Sequence, residues 1–368
     1  MKKIFNFITR LFVLLLILAL VFSLYILIVS FKNDISVKDT FYYAKITGQD
    51  MLGIPSVSKI DVSTPINASS SYSSSESNNN NGHFKYYYNQ LDENSKLIYS
   101  ALENNIDNLK KKNYTINFQN QFNDLLHESA GQYKLNKYFQ SALDAFFYDH
   151  PELFYIDLTK MNLYIRYVSV GPKTTYTVSI LPKDKTNYLY DEFKNEEEVN
   201  LAISRVENAK NNIINSIQNC TSDYEKLLKI HDTLVQLLDY DDNATSAHNI
   251  YGALVDNKVV CEGYAKSFKY ILDSTNIDCI LVSGNATNSS NKTESHMWNY
   301  VRVNGNWYGV DVTWDDPVVI GSKRTTIRHD YFCKGYSTFY SSHDANGKIS
   351  DTGMLFKLPT LSSKNLKK

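Results

Sequence analysis

The chain has 368 residues, 43% of them hydrophobic, and a formal net charge of −1. Such a length and apolar fraction can bury a large core, and the near-neutral balance argues against nucleic-acid binding or a general attraction to anionic lipid. Four cysteines, Cys220, Cys261, Cys279 and Cys333, are too few for a disulfide framework; one bridge between Cys220 and Cys333 is open but has no support in the sequence.

Residues 11–31 are almost wholly apolar, broken only by Ser23, Tyr25 and Ser30. A stretch of about 20 such residues crosses a bilayer core. Lys2, Lys3 and Arg10 precede it, so the positive-inside rule leaves residues 1–10 in the cytoplasm and exports everything after residue 31. A cleaved signal peptide shares the basic start, but the run is long and no A-x-A-like site follows, which favours an uncleaved single-pass anchor in the cell membrane. Residues 32–83 then form a juxtamembrane segment and linker. Within it, 37–54 has strand-like runs, and 56–81 is dominated by Ser and Asn (SSSYSSSESNNNN). The Ser/Asn stretch cannot bury enough apolar area to fold, so it reads as a flexible tether.

Residues 84–220 read as a smaller α+β module. Apolar residues recur at helical spacing over 91–110 and 133–148, and the second run is broken at Asp149-His150-Pro151. Alternating runs at 163–167 and 176–181 flank Gly171-Pro172 as two strands, and a long helix is expected over 196–217. His150 is expected to end its helix and to play no catalytic part.

The segment 221–345 carries the chemistry. His231 shares an apolar helix stripe with Leu227, Leu228, Leu234, Val235 and Leu238, so a satisfied core histidine is expected there, not a ligand. After Cys261 the residues Tyr264, Ala265, Phe268, Ile271 and Leu272 mark a helix whose first turn holds the cysteine. Open N–H groups and the positive dipole end favour thiolate there. Glu262 opposes this, so a cationic partner is required. Cys279 lies in an apolar run and reads as a buried strand residue. Asn304-Gly305 between alternating runs reads as a type I′ hairpin pairing Val303 with Asn306 and, counting back, Trp298 with Asp311. His296 and Asp311 then share one sheet face as diagonal neighbours, close enough for a hydrogen bond, whereas Asn299 points to the other face. Taken singly, Cys261 reads as a small buried hydrophobe, His296 as a hydrogen-bonded core residue and Asp311 as a turn cap. Independent roles of that kind would not require a thiol at a helix start and a matched His and Asp on one hairpin.

These residues carry a resemblance. In chain order, Cys261, His296 and Asp311, with the motifs VVCEGYA, HMWNYV and WYGVDVTWDDP, resemble the transglutaminase-like core of the papain-like cysteine superfamily, over roughly a quarter of the chain. The resemblance implies an α+β fold in which the cysteine-bearing helix packs on an antiparallel sheet. It assigns Cys261 as nucleophile, His296 as base and Asp311 as the residue that orients the base. HDTLVQLLDYD resembles the helix before the cysteine in bacterial members, and Tyr240 falls where an aromatic residue near the active site is common. The second oxyanion donor is expected from the region of Tyr240 or Trp298. Arg328-His-Asp-Tyr-Phe resembles the strand that closes such domains, His343 is a weaker candidate for the cleft wall, and 346–368 reads as a C-terminal tail. Neither a cofactor nor a metal is implied, since Asp241 and Asp242 are too few for a calcium loop. The expected activity is a membrane-anchored, extracytoplasmic thiol acyltransferase working through a thioester on surface proteins or peptidoglycan peptides. The alternatives are a peptidase or amidase on the same triad and a non-catalytic scaffold.

Overall fold

The computed structural model describes residues 12, 16, 19–28, 84–170, 173–183, 186–316 and 327–367. The chain divides into two units, residues 1–75 with 128–133 and residues 76–127 with 134–368. In the first, residues 19–28 are helical. Among the described residues no helix is long and apolar enough to cross a membrane. Most of the anchor expected over 11–31, and all of the linker over 32–83, lie outside the described residues.

Helix α1 (Glu93–Glu103) begins where Asp92 accepts a hydrogen bond from the Ser95 N–H, and its apolar stripe of Ile98, Ala101 and Leu102 is buried. A three-stranded antiparallel sheet follows in the order β1-β3-β2, built from β1 (Ile116–Gln119), β2 (Met161–Val170) and β3 (Lys173–Pro182). β2 and β3 pair from Met161↔Pro182 to Val170↔Lys173, and the turn expected at Gly171-Pro172 lies outside the described residues. Helix α2 (Gly131–Asp149) lies between β1 and β2 in the chain. Helix α3 (Glu196–Ser216) is capped by Asn195 and helix α4 (Asp223–Leu237) by Ser222, each cap accepting from the N–H three residues on.

The next elements position the site. β4 (Asp239–Tyr240) pairs in parallel with β5 (Lys258–Val259), and β5 leads directly into helix α5 (Cys261–Leu272). Tyr264, Phe268, Ile271 and Leu272 are fully buried along α5. At roughly 1.5–3 kcal/mol for each large side chain removed from water, that stripe fixes the helix firmly. The second sheet runs β8-β7-β6-β9, from β6 (Cys279–Thr287), β7 (Thr293–Val303), β8 (Asn306–Val310) and β9 (His343–Asp344). At its hairpin Asn304 and Gly305 have φ of 50° and 77°, the left-handed pair a type I′ turn requires. The observed register runs from Val303↔Asn306 to Asn299↔Val310, as the turn predicts.

Two expectations are corrected here. Residues 328–332 form no strand; the sheet is closed instead by β9, whose His343 pairs with Ala286. The segment after 345 is a packed strap. Phe356 and Leu361 are buried, the Lys357 N–H donates to Gln90 Oε1 at 2.8 Å, and the Ser362 N–H donates to the Trp307 carbonyl at 2.8 Å. One hydrophobic core runs from Tyr87 through the second sheet to Leu361, so no break in packing marks position 220 or 345.

Candidate active site

Cys261 stands at the start of α5, where Val260 supplies no capping side chain. The Gly263 N–H is spent on the Val260 carbonyl at 2.9 Å, which leaves the N–H groups of Cys261 and Glu262 to meet a negative atom at this end of the helix. The turn is seated tightly: a Cβ on Gly263 would lie 2.7 Å from the Ala247 carbonyl oxygen and 2.5 Å from Val259. All four cysteines are free thiols, so no Cys220–Cys333 bridge forms. Cys261 is half-buried, whereas Cys279 and Cys333 are buried and burial pushes their thiols well up.

His296 sits on β7 and is 5% exposed. Its Nε2 lies 2.7 Å from Asp311 Oδ2, the diagonal contact across the hairpin that the turn and the two-residue strand period require. With Nε2 committed to the carboxylate, Nδ1 is the ring nitrogen left for another partner, and Cys261 is among the groups that raise the His296 pKa. Burial is the largest influence on the imidazole and pulls its pKa down. The charge and hydrogen bond of Asp311, reinforced by Cys261, outweigh it and raise His296 to about 10. Asp311 is held well below the usual carboxylate range. Burial opposes this, but His296 and His343 both donate to it. Its Oδ1 accepts the Trp314 N–H at 3.1 Å, and His343 Nε2 reaches Oδ2 at 3.0 Å. Asn299 faces away, donating to the Ala265 carbonyl of α5 at 3.0 Å.

The two cleft candidates separate. Tyr240 is 48% exposed, and its phenol is raised first by burial and next by the charge of Cys261. Trp298 is 1% exposed and lies behind His296, with ring centroids 6.0 Å apart. His343 is likewise buried and does not line the cleft; it stacks on Phe339 at 4.2 Å.

Glu262, expected to oppose the thiolate, is compensated. Lys266 Nζ lies 2.6 Å and His248 Nδ1 2.9 Å from its carboxylate. Burial raises the Glu262 pKa, but these cations overcome that and bring it down to about 2. His231 is a satisfied core histidine, as its stripe implied: Nε2 meets Asp315 Oδ2 at 3.1 Å and Nδ1 meets Asp232 Oδ1 at 3.0 Å. His150 does end α2, yet it is buried, with Tyr99 Oη 3.0 Å and Glu152 Oε1 2.6 Å away. Two clusters, His231–Asp232–His329 and His296–Asp311–His343, hold donor atoms close enough for an ion. In both, imidazole–carboxylate hydrogen bonds account for the approach. The contacts that sequence reasoning missed are His343 on Asp311 and the cations on Glu262. Lys266 had a signal in its i,i+4 spacing from Glu262; His343, 32 residues beyond Asp311, had none.

Residues 211–312, which contain Cys261, His296 and Asp311, match the family model of the transglutaminase-like superfamily. This segment is a transglutaminase-like core. Among solved structures the chain is similar to a TGase at 12% identity and a TM-score of 0.28, covering 46% of this chain and 48% of that one. It is also similar to the periplasmic domain of TgpA from Pseudomonas aeruginosa bound to ethylmercury, at 13% identity and a TM-score of 0.25, covering 39% and 56%. The chain thus spans about half the length of these structures. No curated protein matches it.

Proposed function

We propose that the protein is a thiol acyltransferase in which Cys261 is the nucleophile, His296 the acid–base and Asp311 the orienting carboxylate. The observation that carries this reading is His296 itself, bonded at 2.7 Å through Nε2 to a buried carboxylate and near enough to Cys261 for the sulfur to raise its pKa. Such an imidazole holds a proton at neutral pH and keeps it within reach of sulfur, which favours a thiolate–imidazolium pair.

In the reaction, the Cys261 sulfur attacks a carboxamide carbonyl carbon and the C=O electron pair moves to oxygen. The oxyanion is stabilised by the open first-turn N–H of Cys261, with the Tyr240 hydroxyl on the exposed side. His296 passes its proton to the leaving nitrogen, ammonia departs and a thioester forms. A primary amine then attacks the thioester, gives its proton to His296 and releases Cys261, leaving an isopeptide bond. Water in place of the amine gives deamidation or peptide hydrolysis.

The basic start and the apolar run over 11–31 support a membrane anchor. Its orientation would hold the core outside the cytoplasm, where surface proteins and peptidoglycan peptides are the substrates at hand. The test offers the full-length chain glutamine-containing surface peptides with a labelled primary amine. Amine incorporation lost in Cys261→Ala supports acyl transfer. Ammonia or new peptide termini without incorporation selects the hydrolase, and no selective alkylation of Cys261 by iodoacetamide rejects both.

A further inference from the structure

Asp311 carries more hydrogen bonds than a triad needs. Its Oδ2 meets two imidazoles, His296 Nε2 at 2.7 Å and His343 Nε2 at 3.0 Å, while Oδ1 accepts from the Trp314 N–H at 3.1 Å. An ionised carboxylate only accepts, so both Nε2 atoms are the donors. His343 is on β9, which is attached to the sheet through β6, two strands away from the end of β8 that supplies Asp311. Its ring has no freedom. It stacks on Phe339 at 4.2 Å, with Trp314 at 4.8 Å, Trp298 at 4.9 Å and Tyr331 at 5.2 Å, and its Nδ1 meets Ser342 Oγ at 2.9 Å. Gly284, opposite His296 on β6, leaves no room for a side chain between Trp298 and the Asp344 carbonyl, so β9 is drawn tightly onto the sheet beside the site.

From this we infer that His343 is a positioning residue for the reaction, a fourth member behind the triad. It fixes the rotamer of Asp311 and keeps it ionised, and so fixes the tautomer and aim of His296 without touching substrate. The inference rests on the acyl-transfer reading of Cys261. A buried imidazole must find a partner, and packing alone would be served as well by a phenyl ring in that aromatic slot. An imidazole whose N–H is spent on the carboxylate that orients the base instead resists protonation and rotation of that carboxylate. The ionisable groups facing the pair are His296 and Tyr331; Asp344, the next residue on β9, is exposed on the other face of the strand.

The experiment measures the rate of Cys261 alkylation by iodoacetamide against pH, and amine incorporation, in the full-length chain. It compares the natural protein with His343→Phe, which fills the slot without a donor, and His343→Gln, whose amide N–H restores one. His343→Phe should lower turnover by about ten- to a hundredfold, the worth of one hydrogen bond to a charged group, with KM unchanged. It should also move the acid limb of the alkylation profile to higher pH, because Asp311 takes up a proton sooner. His343→Gln should recover most of both. A His343→Phe protein that melts lower yet alkylates at the natural rate with the same acid limb overturns the inference and leaves His343 a packing residue. If Phe does not fold, His343→Met, which likewise carries no donor, takes its place, and natural turnover with an unmoved acid limb in that variant overturns the inference equally. Failure of the natural protein to alkylate at Cys261 ahead of its other cysteines is a separate result: it removes the acyl-transfer reading and this inference with it.

Discussion

Lys266 and Glu262 meet at 2.6 Å across the first turn of α5, immediately beneath Cys261. Lys266 is buried, sits over the ring of Phe147 and also donates to the His248 carbonyl at 3.2 Å. The pair turns an unfavourable neighbour of a thiolate into a neutral one. Lys266→Met keeps the bulk and removes the charge, leaving the Glu262 carboxylate facing Cys261 with only His248 to balance it. Iodoacetamide alkylation of Cys261 at pH 7 should slow by about fivefold, the equivalent of roughly 1 kcal/mol from one partly screened charge. The same rate in natural and variant protein would show that Glu262 does not reach the sulfur.

The pair also predicts an acid limit. Glu262 is lowered from 4.5 to about 2, so its contribution to stability is fully present above pH 4.5 and is lost as pH falls through the interval down to about 2. Glu262→Gln should flatten that part of a denaturant-melt series, and an unchanged slope between pH 4.5 and 2 would exclude the linkage.

Asp311→Asn tests the base. The amide keeps the shape but removes the charge that holds His296 at about 10, against an ordinary 6.5. The basic limb of the turnover–pH profile should therefore move down from near 10 toward 6.5, as the imidazolium that must protonate the leaving nitrogen loses its proton earlier. Turnover should fall on the order of a thousandfold or more, since an orienting carboxylate is replaced by a group that allows the wrong tautomer. For stability the sign is the same: the raised His296 stabilises below pH 6.5, and that contribution is lost as pH rises through about 10. A basic limb that stays where it was in Asp311→Asn would mean that something other than Asp311 sets the His296 proton.

The triad pairing was legible in the sequence because two strict rules act together. Asn304-Gly305 fixes a two-residue turn, and a two-residue side-chain period then leaves no freedom in which residues share a face. The first turn of α5 was legible for a similar reason, its apolar stripe having a single helical phase. What was hidden are the contacts made across long chain separations. His343 reaches Asp311 from a two-residue strand with no pattern of its own, and the strap over 346–368 is too short of periodicity to announce that Phe356 and Leu361 are core. The burial of His150 was hidden because Tyr99, its partner, is 51 positions away. The strand expected at 328–332 failed because Asp315 takes that backbone instead, accepting the Tyr331 N–H at 3.0 Å.

His231 and Asp315 are both 0% exposed at the side chain and 3.1 Å apart, tying α4 to the loop that follows Asp311. Removing one member leaves the other buried without its counter-charge, so His231→Ala should cost about 3–5 kcal/mol in a urea melt. The pH dependence carries the diagnosis. Burial pulls the His231 pKa down, but the hydrogen bonds it donates to Asp232 and Asp315 raise it above 6.5 overall. Its contribution is thus complete below pH 6.5 and declines as pH rises through the raised value. The stability gap between natural protein and His231→Ala should narrow on going from pH 6 to pH 9. A packing cavity alone would leave that gap constant with pH, because a void has no proton to lose; a constant gap would assign His231 to the core by shape and not by charge.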